Sequence, residues 1–327
     1  MATIKEIAEK VGVSPAAVSR VLNYDEGISV SDETRKAIFD TAKELGYKKK
    51  EIYPTIRNVA FLYWITEEEE LEDVYYKDLY KEIKSYAKKV NVHLVVISKD
   101  EGIKAINKDI TAFIALGWFS KKEIDALYKK CKNGVFVNSH PDEKHFDSVC
   151  PNTDSFVTQM VDYFYEKGHR RIGFVGMADR DINTGNAVMD IREWSFRQSM
   201  IYYKILDEDI IYITEHTTVN SGYKIGKKIA LLKNRPTALV VGSDTLAIGL
   251  LQALNEDNID VPDNIAVFSI NDVSVAEYVS PPLTSFHIDI PVIAETAISL
   301  LRERVITKRK STKTVYINGT VHFRKSC

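Results

Sequence analysis

The first hydrophobic residues of the chain follow a helical period and lie between residues that begin and end helices. The apolar stripe is formed by Ile4, Ile7, Ala8 and Val11. This spacing places all of them on one helix face. Thr3 and Glu6 have the spacing of a capping box, and Gly12 follows the last apolar position, where a positive φ costs little. The pattern predicts a first helix between Thr3 and Gly12.

Two more short helices follow. Ser14 is a good N-cap with Pro15 at the first helical position, and Ser31 caps a third helix that ends at Gly46. Their inward-facing positions are Val18, Val21 and Leu22, then Ile38, Ala42 and Leu45. Residues 1–47 are therefore predicted to form an all-α domain around one small core.

The first two helices are joined by a tight turn, as in a helix-turn-helix, whose second helix enters a DNA major groove. The exposed face of that helix carries Ser14, Pro15, Ala16, Ser19, Arg20 and Asn23. None of these residues is acidic, and Arg20 has the donor geometry to bind a guanine edge. The alternative interpretation is a plain helical bundle in which Arg20 is only solvated.

From residue 58 onward, short apolar runs alternate with amphipathic segments. The predicted strands are Val59–Ile65, Val92–Ile97, Ala112–Leu116, Gly134–Asn138, Arg171–Gly176, Ile210–Thr214, Ala238–Gly242 and Ile265–Ile270. The predicted helices are Tyr76–Lys89, Lys121–Lys132, Thr153–Lys167, Ala187–Lys204, Ser221–Lys233 and Thr245–Glu256. A polar, Pro-containing loop is expected near Ser139–Asp154.

Repeated strand-then-helix units indicate parallel sheets with helices on both faces. Because the pattern runs twice, the expected fold is an α/β core of two doubly wound parallel-sheet lobes. Ligands bind such sheets at the carboxyl ends of the strands, so the cleft between the lobes is the expected ligand site.

Composition limits the classes of partner. The chain has 327 residues, 45% of them hydrophobic, and 44 basic against 46 acidic side chains. This near-balance predicts no general attraction to polyanions, so any contact with nucleic acid must be local. Cys131, Cys150 and Cys327 are widely spaced, which argues against a disulfide framework and a zinc site. Neither an export signal nor a membrane anchor is found, so we expect a cytoplasmic protein.

The N-terminal residues carry a family resemblance. The runs Ala2–Asn23, Val30–Arg35 and Leu45–Tyr47 resemble the operator-binding headpiece of the lactose/galactose repressor (LacI/GalR) family. The resemblance implies that Pro15, Ala16 and Arg20 read operator bases. It also implies that Ser14, Ser19 and Asn23 contact phosphates, and Thr3 is included in the expected DNA-binding set.

The segment after Tyr47 departs from this family, whose hinge contains an Ala-Arg pair and a leucine that enters the minor groove. Here the chain has three lysines and then Ile52 and Pro54. Ile52 is the first candidate for an apolar wedge that kinks DNA, and the alternative is that it only packs in the linker. The expected hinge covers residues 48–58.

The rest of the chain resembles the effector-binding core of the same family, which shares the periplasmic-binding-protein fold. The resemblance is carried by Lys167–Gly176, Asp190–Arg192, Val240–Asp244, Val267–Asp272 and Pro281–Ser285. It implies three chain crossings between the lobes. The expected core, residues 59–327, divides into lobe 1 (about 59–155 and 287–318) and lobe 2 (about 156–286 and 319–327).

At the positions that contact ligand in the family stand Trp64, Asn138, Arg192, Ser243 and either Asn271 or Asp272. Amide, guanidinium and carboxylate groups suit sugar hydroxyls. Alternatives stay open: Trp64 as a core residue, Arg192 as a partner of Asp190 or Glu193, and Asp272 as a helix cap. Similarity to galactose-operon repressors implies galactose or a galactoside as the effector.

The chain contains no Walker A loop, no GxGxxG after a strand, no HExxH and no GxSxG. We therefore expect neither an enzyme nor a bound cofactor or metal. The predicted function is a sugar-responsive transcriptional repressor that binds a pseudo-palindromic operator as a homodimer. The alternative is a cytoplasmic α/β enzyme or binding protein that acts on a sugar without DNA.

Overall fold

The structure, a computed structural model, describes residues 3–22, 28–47, 56–66 and 74–327. Its first part contains three helices, α1 (Ile4–Val11), α2 (Pro15–Leu22) and α3 (Asp32–Glu44). They enclose one apolar cluster, whose buried members are Ile7, Ala8, Val18, Val21, Leu22, Ile38 and Ala42. The predicted three-helix domain is confirmed.

The ends of these helices are made by the residues that the sequence indicated. The Thr3 amide donates to the Glu6 carboxylate at 2.7 Å, and the Glu6 amide donates to the Thr3 hydroxyl at 3.3 Å, which completes the capping box. Gly12 ends α1 with φ of 76°. The Ser31 hydroxyl accepts from the Thr34 amide at 3.2 Å and caps α3.

The core contains two six-stranded sheets. The strands of the first are β1 (Ile56–Trp64), β2 (Val92–Ser98), β3 (Ala112–Gly117), β4 (Gly134–Val137), β5 (Asp147–Pro151) and β13 (Thr314–Ile317), in the order β13-β5-β4-β3-β1-β2. The strands of the second are β6 (Ile172–Met177), β9 (Ile211–Thr214), β10 (Ala238–Val241), β11 (Ala266–Asn271), β12 (Thr284–His287) and β14 (Thr320–His322), in the order β14-β12-β11-β10-β6-β9.

Helices connect these strands and cover the sheets. They are α4 (Val74–Lys89), α5 (Lys121–Lys130), α6 (Thr153–Glu166), α7 (Ile191–Tyr202), α8 (Val219–Ala230), α9 (Asp244–Glu256) and α10 (Ile290–Thr307). We call the part built on the first sheet lobe 1 and the part built on the second sheet lobe 2. The chain passes between the sheets after β5, after β12 and again between β13 and β14. The predicted fold of two doubly wound lobes is therefore confirmed, with β14 antiparallel to β12.

Several elements differ from those that the sequence predicted. Strand β1 begins at Ile56 rather than Val59, and α7 begins at Ile191 rather than Ala187. A two-stranded hairpin, β7 (Asp179–Arg180) with β8 (Ala187–Val188), precedes α7. Strands β12 and β13 and helix α10 were not predicted.

The predicted loop near Ser139–Asp154 contains buried strand β5, so that prediction was wrong. Its first residue, Asp147, is fully buried because two guanidinium groups neutralise it. Arg304 and Arg309 contact its oxygens at 3.1 and 2.5 Å. The amide of Lys313 adds a hydrogen bond of 2.8 Å. A polar residue in this strand therefore marks an interior ion pair rather than a solvated loop.

Within the described residues, no helix is long and apolar enough to cross a membrane.

Helices α8 and α9 pack against each other at unusually close range, and glycines make this possible. A Cβ atom at Gly249 would overlap the carbonyl oxygen of Val219, and one at Gly222 would overlap the carbonyl oxygen of Leu246. These clashes involve main-chain atoms, which cannot rotate away as the end of a side chain can.

Replacing Gly249 by alanine should therefore destabilise the core by about 1–3 kcal/mol, because the two helices must move apart. Denaturant unfolding of the full chain measures this loss. Gln252→Ala, at an exposed position of the same helix, is the control and should change the free energy of unfolding by less than ~0.5 kcal/mol. Equal stability of the Gly249→Ala variant and the parent chain would contradict the close packing.

Candidate functional site

Helix α2 buries one face and exposes the other. Val18, Val21 and Leu22 are buried, whereas Pro15 and Arg20 are exposed. Ala16 is also exposed and Ser19 is half-buried. The helix contains no acidic residue, so its outer face offers small side chains and one guanidinium to a partner. This arrangement suits the close approach of a polyanion.

Two of the expected DNA contacts also serve the helices themselves. The Ser14 hydroxyl accepts from the Ala17 amide at 3.1 Å, and the Thr3 hydroxyl belongs to the capping box of α1. Each hydroxyl keeps its own proton as a donor for a phosphate oxygen. Asn23 and Ile52 lie outside the described residues. The DNA contacts of all these side chains stay predictions.

In the core, the candidate ligand residues lie at the carboxyl ends of strands. Trp64 ends β1 and Asn138 follows β4, both in lobe 1. In lobe 2, Ser243 follows β10 closely and Asn271 ends β11. Arg192 stands in the first turn of α7. Parallel strands thus bring residues that are far apart in sequence to one end of each sheet.

Trp64 is a core residue. Its side chain is only 1% exposed and stacks on Phe119 with ring centroids 4.8 Å apart. Its indole N–H donates to the Glu123 carboxylate at 2.9 Å. Both the ring and the polar atom are engaged inside lobe 1. These contacts support the alternative interpretation of Trp64 as a core residue rather than a ligand contact.

Asn138 is held in a defined orientation by its neighbours. Its φ of 66° is left-handed, and its main-chain N–H group donates to the Val149 carbonyl at 2.8 Å. The buried Tyr75 donates its hydroxyl proton to the Asn138 side-chain oxygen at 3.0 Å. Fixing the oxygen leaves the amide NH₂ group to donate to a ligand. Tyr75 is thus a positioning residue, and the sequence analysis did not identify it.

Arg192 forms an ion pair with the residue that caps its own helix. Its Nε and Nη2 donate to the two carboxylate oxygens of Asp190 at 2.7 and 2.9 Å, and its Nη1 donates to the Gly242 carbonyl at 2.9 Å. These bonds use three of the five guanidinium N–H groups. Arg192 is therefore paired with Asp190, as the alternative interpretation from the sequence stated. Its two remaining guanidinium N–H groups can still donate to a ligand.

Asp190 carries a negative charge in this pair. Burial alone would raise its pKa, but the charge and hydrogen bonds of Arg192 outweigh burial and lower the pKa below its ordinary value. The carboxylate also accepts from the Arg192 amide at 2.8 Å. A fixed carboxylate and a fixed guanidinium therefore lie side by side at the start of α7.

Ser243 is the N-cap of α9, since its hydroxyl accepts from the Leu246 amide at 3.3 Å. Its neighbour Asp244 is buried and bound by the hydroxyls of Ser269 and Ser285 and by the Val273 amide. Burial raises the pKa of Asp244 to about 7, although the hydrogen bonds from these three donors act to lower it. Asp244 thus ties α9 to β11 and β12, and a sugar contact by Ser243 stays a prediction.

Asn271 and Asp272 both have positive φ, at 116° and 56°, so the chain turns sharply at the end of β11. Asp272 is bound by Arg324, His287 and His322, and its side chain is only 7% exposed. Asn271 is half-buried, and none of the described residues forms a hydrogen bond with its side-chain amide. Asn271 is therefore the better ligand candidate of the two.

The hairpin β7–β8 extends from lobe 2 onto lobe 1. The Trp118 indole donates to the Arg180 carbonyl at 3.1 Å, and the Lys121 amide donates to the Ile182 carbonyl at 2.7 Å. Ile182 also packs against the apolar core of lobe 1. The hairpin is a strap between the lobes, and the sequence missed it because its exposed polar residues show no strand period.

Charged groups of both lobes meet beside this strap. Asp179 is exposed, yet surrounding protein atoms displace enough water to raise its pKa, and the charge of Asp190 adds to the effect. Arg192 and His140 act in the opposite direction. His140 comes from lobe 1 and the others from lobe 2. The described residues of the two lobes therefore include carboxylate, guanidinium and amide groups, a donor and acceptor set that suits a polyhydroxylated ligand.

Two family models match the chain. Residues 3–50 match the model described as bacterial regulatory proteins, lacI family, and residues 161–327 match a periplasmic binding protein-like domain. The HTH-type transcriptional regulator GanR of Bacillus subtilis (strain 168) is 44% identical over all of this chain and 99% of its own. The chain belongs to the lacI family.

A second relative of this lacI-family chain is the HTH-type transcriptional regulator LacR of Lactobacillus helveticus, which is 34% identical over 100% of this chain and 98% of its own. The HTH-type transcriptional regulator GalR of Lacticaseibacillus casei is 31% identical over 100% of this chain and 99% of its own. The protein is therefore a DNA-binding transcriptional regulator and not an enzyme, as predicted.

Solved structures show the same fold. A complex of the transcriptional regulator CelR with cellobiose aligns over 100% of both chains, with a TM-score of 0.71 and 20% identity. The lac repressor dimer bound to operator and the anti-inducer ONPF aligns over 99% of this chain and 98% of that chain, with a TM-score of 0.68 and 19% identity. Both comparisons show that this chain has the fold of these two regulators.

Proposed function

We propose that this lacI-family repressor binds a pseudo-palindromic operator as a homodimer and is released from it by a small carbohydrate, galactose or a galactoside. The observation that carries the proposal is that Asn138 of lobe 1 and Arg192 of lobe 2 are each fixed by neighbours while keeping N–H donors. Hydroxyl groups of a sugar are the natural acceptors for such donors.

Operator binding is supported by the outer face of α2. Arg20 is the charged side chain of this exposed face and can donate two hydrogen bonds to a guanine edge. Pro15 and Ala16 are small and offer apolar contact to a thymine methyl group. One headpiece covers little DNA, so two half-sites read by one dimer are needed for useful affinity.

The identity of the sugar is supported by the relatives. Those similar to this chain include proteins named LacR and GalR, and one structure of the same fold holds cellobiose. A mixed set of carboxylate, guanidinium and amide groups is common to sugar sites in general. The assignment to galactose or a galactoside therefore depends on these relatives and on the similarity to galactose-operon repressors.

Release requires that the sugar bind one state of the core more tightly than another. A ligand shifts an equilibrium only by its differential affinity, and coupling free energies between sites are typically ~1–3 kcal/mol. The strap between the lobes and the three chain crossings are the elements whose arrangement a ligand in the cleft would change. We infer induction, in which the sugar lowers the affinity for the operator.

Substituting Arg20 by alanine should weaken operator binding by about 1–3 kcal/mol and relax the preference at one base pair of each half-site. Fluorescence titration against the operator and its single-base variants measures both effects. Lys36→Ala, an exposed cation of α3, is the control and should leave base preference unchanged. Equal weakening of Arg20→Ala on every sequence would reassign Arg20 to phosphate contact.

Substituting Arg192 by lysine keeps the charge beside Asp190 but removes the planar set of donors. The galactoside concentration that releases the operator should rise at least ~10-fold, since a hydrogen bond to a charged group contributes about 1.5–3 kcal/mol. Operator affinity without sugar should not change.

The matched control is Arg197→Lys, because Arg197 stands on the same helix but contacts Glu193 and Glu208. Its response to the galactoside should equal that of the parent chain. An unaltered response of the Arg192→Lys variant would remove Arg192 from the ligand site, and tighter operator binding with galactoside would show corepression instead of induction.

A further inference from the structure

A cluster of two histidines and one aspartate lies at the edge of lobe 2. Asp272, His287 and His322 are 15 to 50 residues apart in sequence. One ligand atom from each lies within 4.8 Å of the others. Their wide spacing in sequence leaves no local motif that would indicate the cluster.

Strand register explains why these residues meet. Strands β11 and β12 are parallel with Asn271 opposite His287, so Asp272 follows directly beside that histidine. Strands β12 and β14 are antiparallel with His287 opposite Thr320. Residues two apart on a strand share a face, so His322 lies diagonally from His287 on the same side of the sheet.

The three polar groups converge on one atom. The Nδ1 atoms of His287 and His322 lie 3.1 and 2.6 Å from the Oδ2 atom of Asp272. The imidazole rings are stacked, with centroids 5.0 Å apart and an angle of 15° between their planes. Both nitrogens therefore point in the same direction, toward one carboxylate oxygen.

The aspartate is prepared as a carboxylate ligand. Arg324 donates from Nη1 to Oδ1 of Asp272 at 2.6 Å and to the Leu283 carbonyl at 2.8 Å. Arg324 thus orients the carboxylate and leaves Oδ2 to the histidines, as outer residues do around metal sites.

We propose that Asp272, His287 and His322 form a binding site for a divalent transition metal ion of the zinc class. Two imidazoles and one carboxylate are the donors that such ions prefer, and three protein ligands leave an open position for water or another ligand.

Each imidazole would bind through Nδ1 as the neutral tautomer that carries its proton on Nε2, and a protonated ring would first release one proton to solvent. The histidine side chains are 39% and 46% exposed, which gives an ion a path to the site. The positive charge of Arg324 repels a metal ion bound nearby. We therefore expect the ion to bind with a dissociation constant in the micromolar range, weaker than at a structural zinc site.

The proposed metal site lies next to two of the segments through which the chain passes between the lobes. His287 ends β12, after which the chain leaves for lobe 1, and His322 belongs to β14, which follows the return to lobe 2. A bound ion would join these two segments and the turn that carries Asn271. Metal binding is expected to restrict the chain where it passes between the lobes.

The test is calorimetric titration of zinc chloride into the chelator-treated full chain, produced without a histidine tag and with Cys327→Ser to remove a competing thiol. We expect one ion per chain. His287→Gln and His322→Gln should each weaken binding at least ~10-fold, and the exposed His216→Gln control should not. Circular dichroism checks that each variant is folded.

Cobalt provides a second measurement, because its visible absorption reports the ligands directly. The parent chain should develop a band on addition of Co²⁺ that both histidine variants lose. Absence of zinc binding, or binding that all variants retain, would overturn the proposal and leave the cluster as a hydrogen-bonded link between strands. Neither readout needs operator or sugar, so failure here is distinct from failure of the proposed function.

Discussion

The constraint on which the core depends is that the parallel strands of each sheet bring their carboxyl ends to one edge of that sheet. Residues separated by more than a hundred positions, such as Asn138 and Asn271, thereby come to lie at the carboxyl ends of strands, where we propose that the sugar binds. The Arg192–Asp190 ion pair adds two fixed charged groups at the start of α7. The Gly242 carbonyl accepts a hydrogen bond from Arg192 and so holds the guanidinium group near the end of β10. A ligand that binds here would meet side chains that are already oriented. This preorganisation reduces the conformational entropy that the protein loses on binding.

Much of the fold could be predicted because its signals are local. The capping box at Thr3 and the glycine at 12 define α1 without reference to the rest of the chain. Apolar runs such as Ala112–Gly117 are buried on both faces, as strands of a parallel sheet are, and so appear as continuous hydrophobic segments. Among the candidate site residues, Asn138 and Asn271 lie at the carboxyl ends of strands and Arg192 in the first turn of α7, and their contact with a sugar stays a prediction.

What could not be predicted depends on partners far away in sequence. Asp147 made β5 look like a loop, because its neutralising arginines follow more than 150 residues later. Trp64 could be assigned to the core only once Phe119 and Glu123 were seen around it. The strap β7–β8 has no apolar period, and the cluster at Asp272 arises from the register of three strands. None of these features has a local signature.

The central claim is that DNA and sugar are bound by one molecule whose two binding equilibria are coupled. Reciprocity tests it most directly, because the factor by which a saturating galactoside weakens operator binding must equal the factor by which saturating operator weakens galactoside binding. Both constants can be measured by titration of the same preparation. The account predicts equal factors above unity, and galactoside affinity that is indifferent to operator would contradict it.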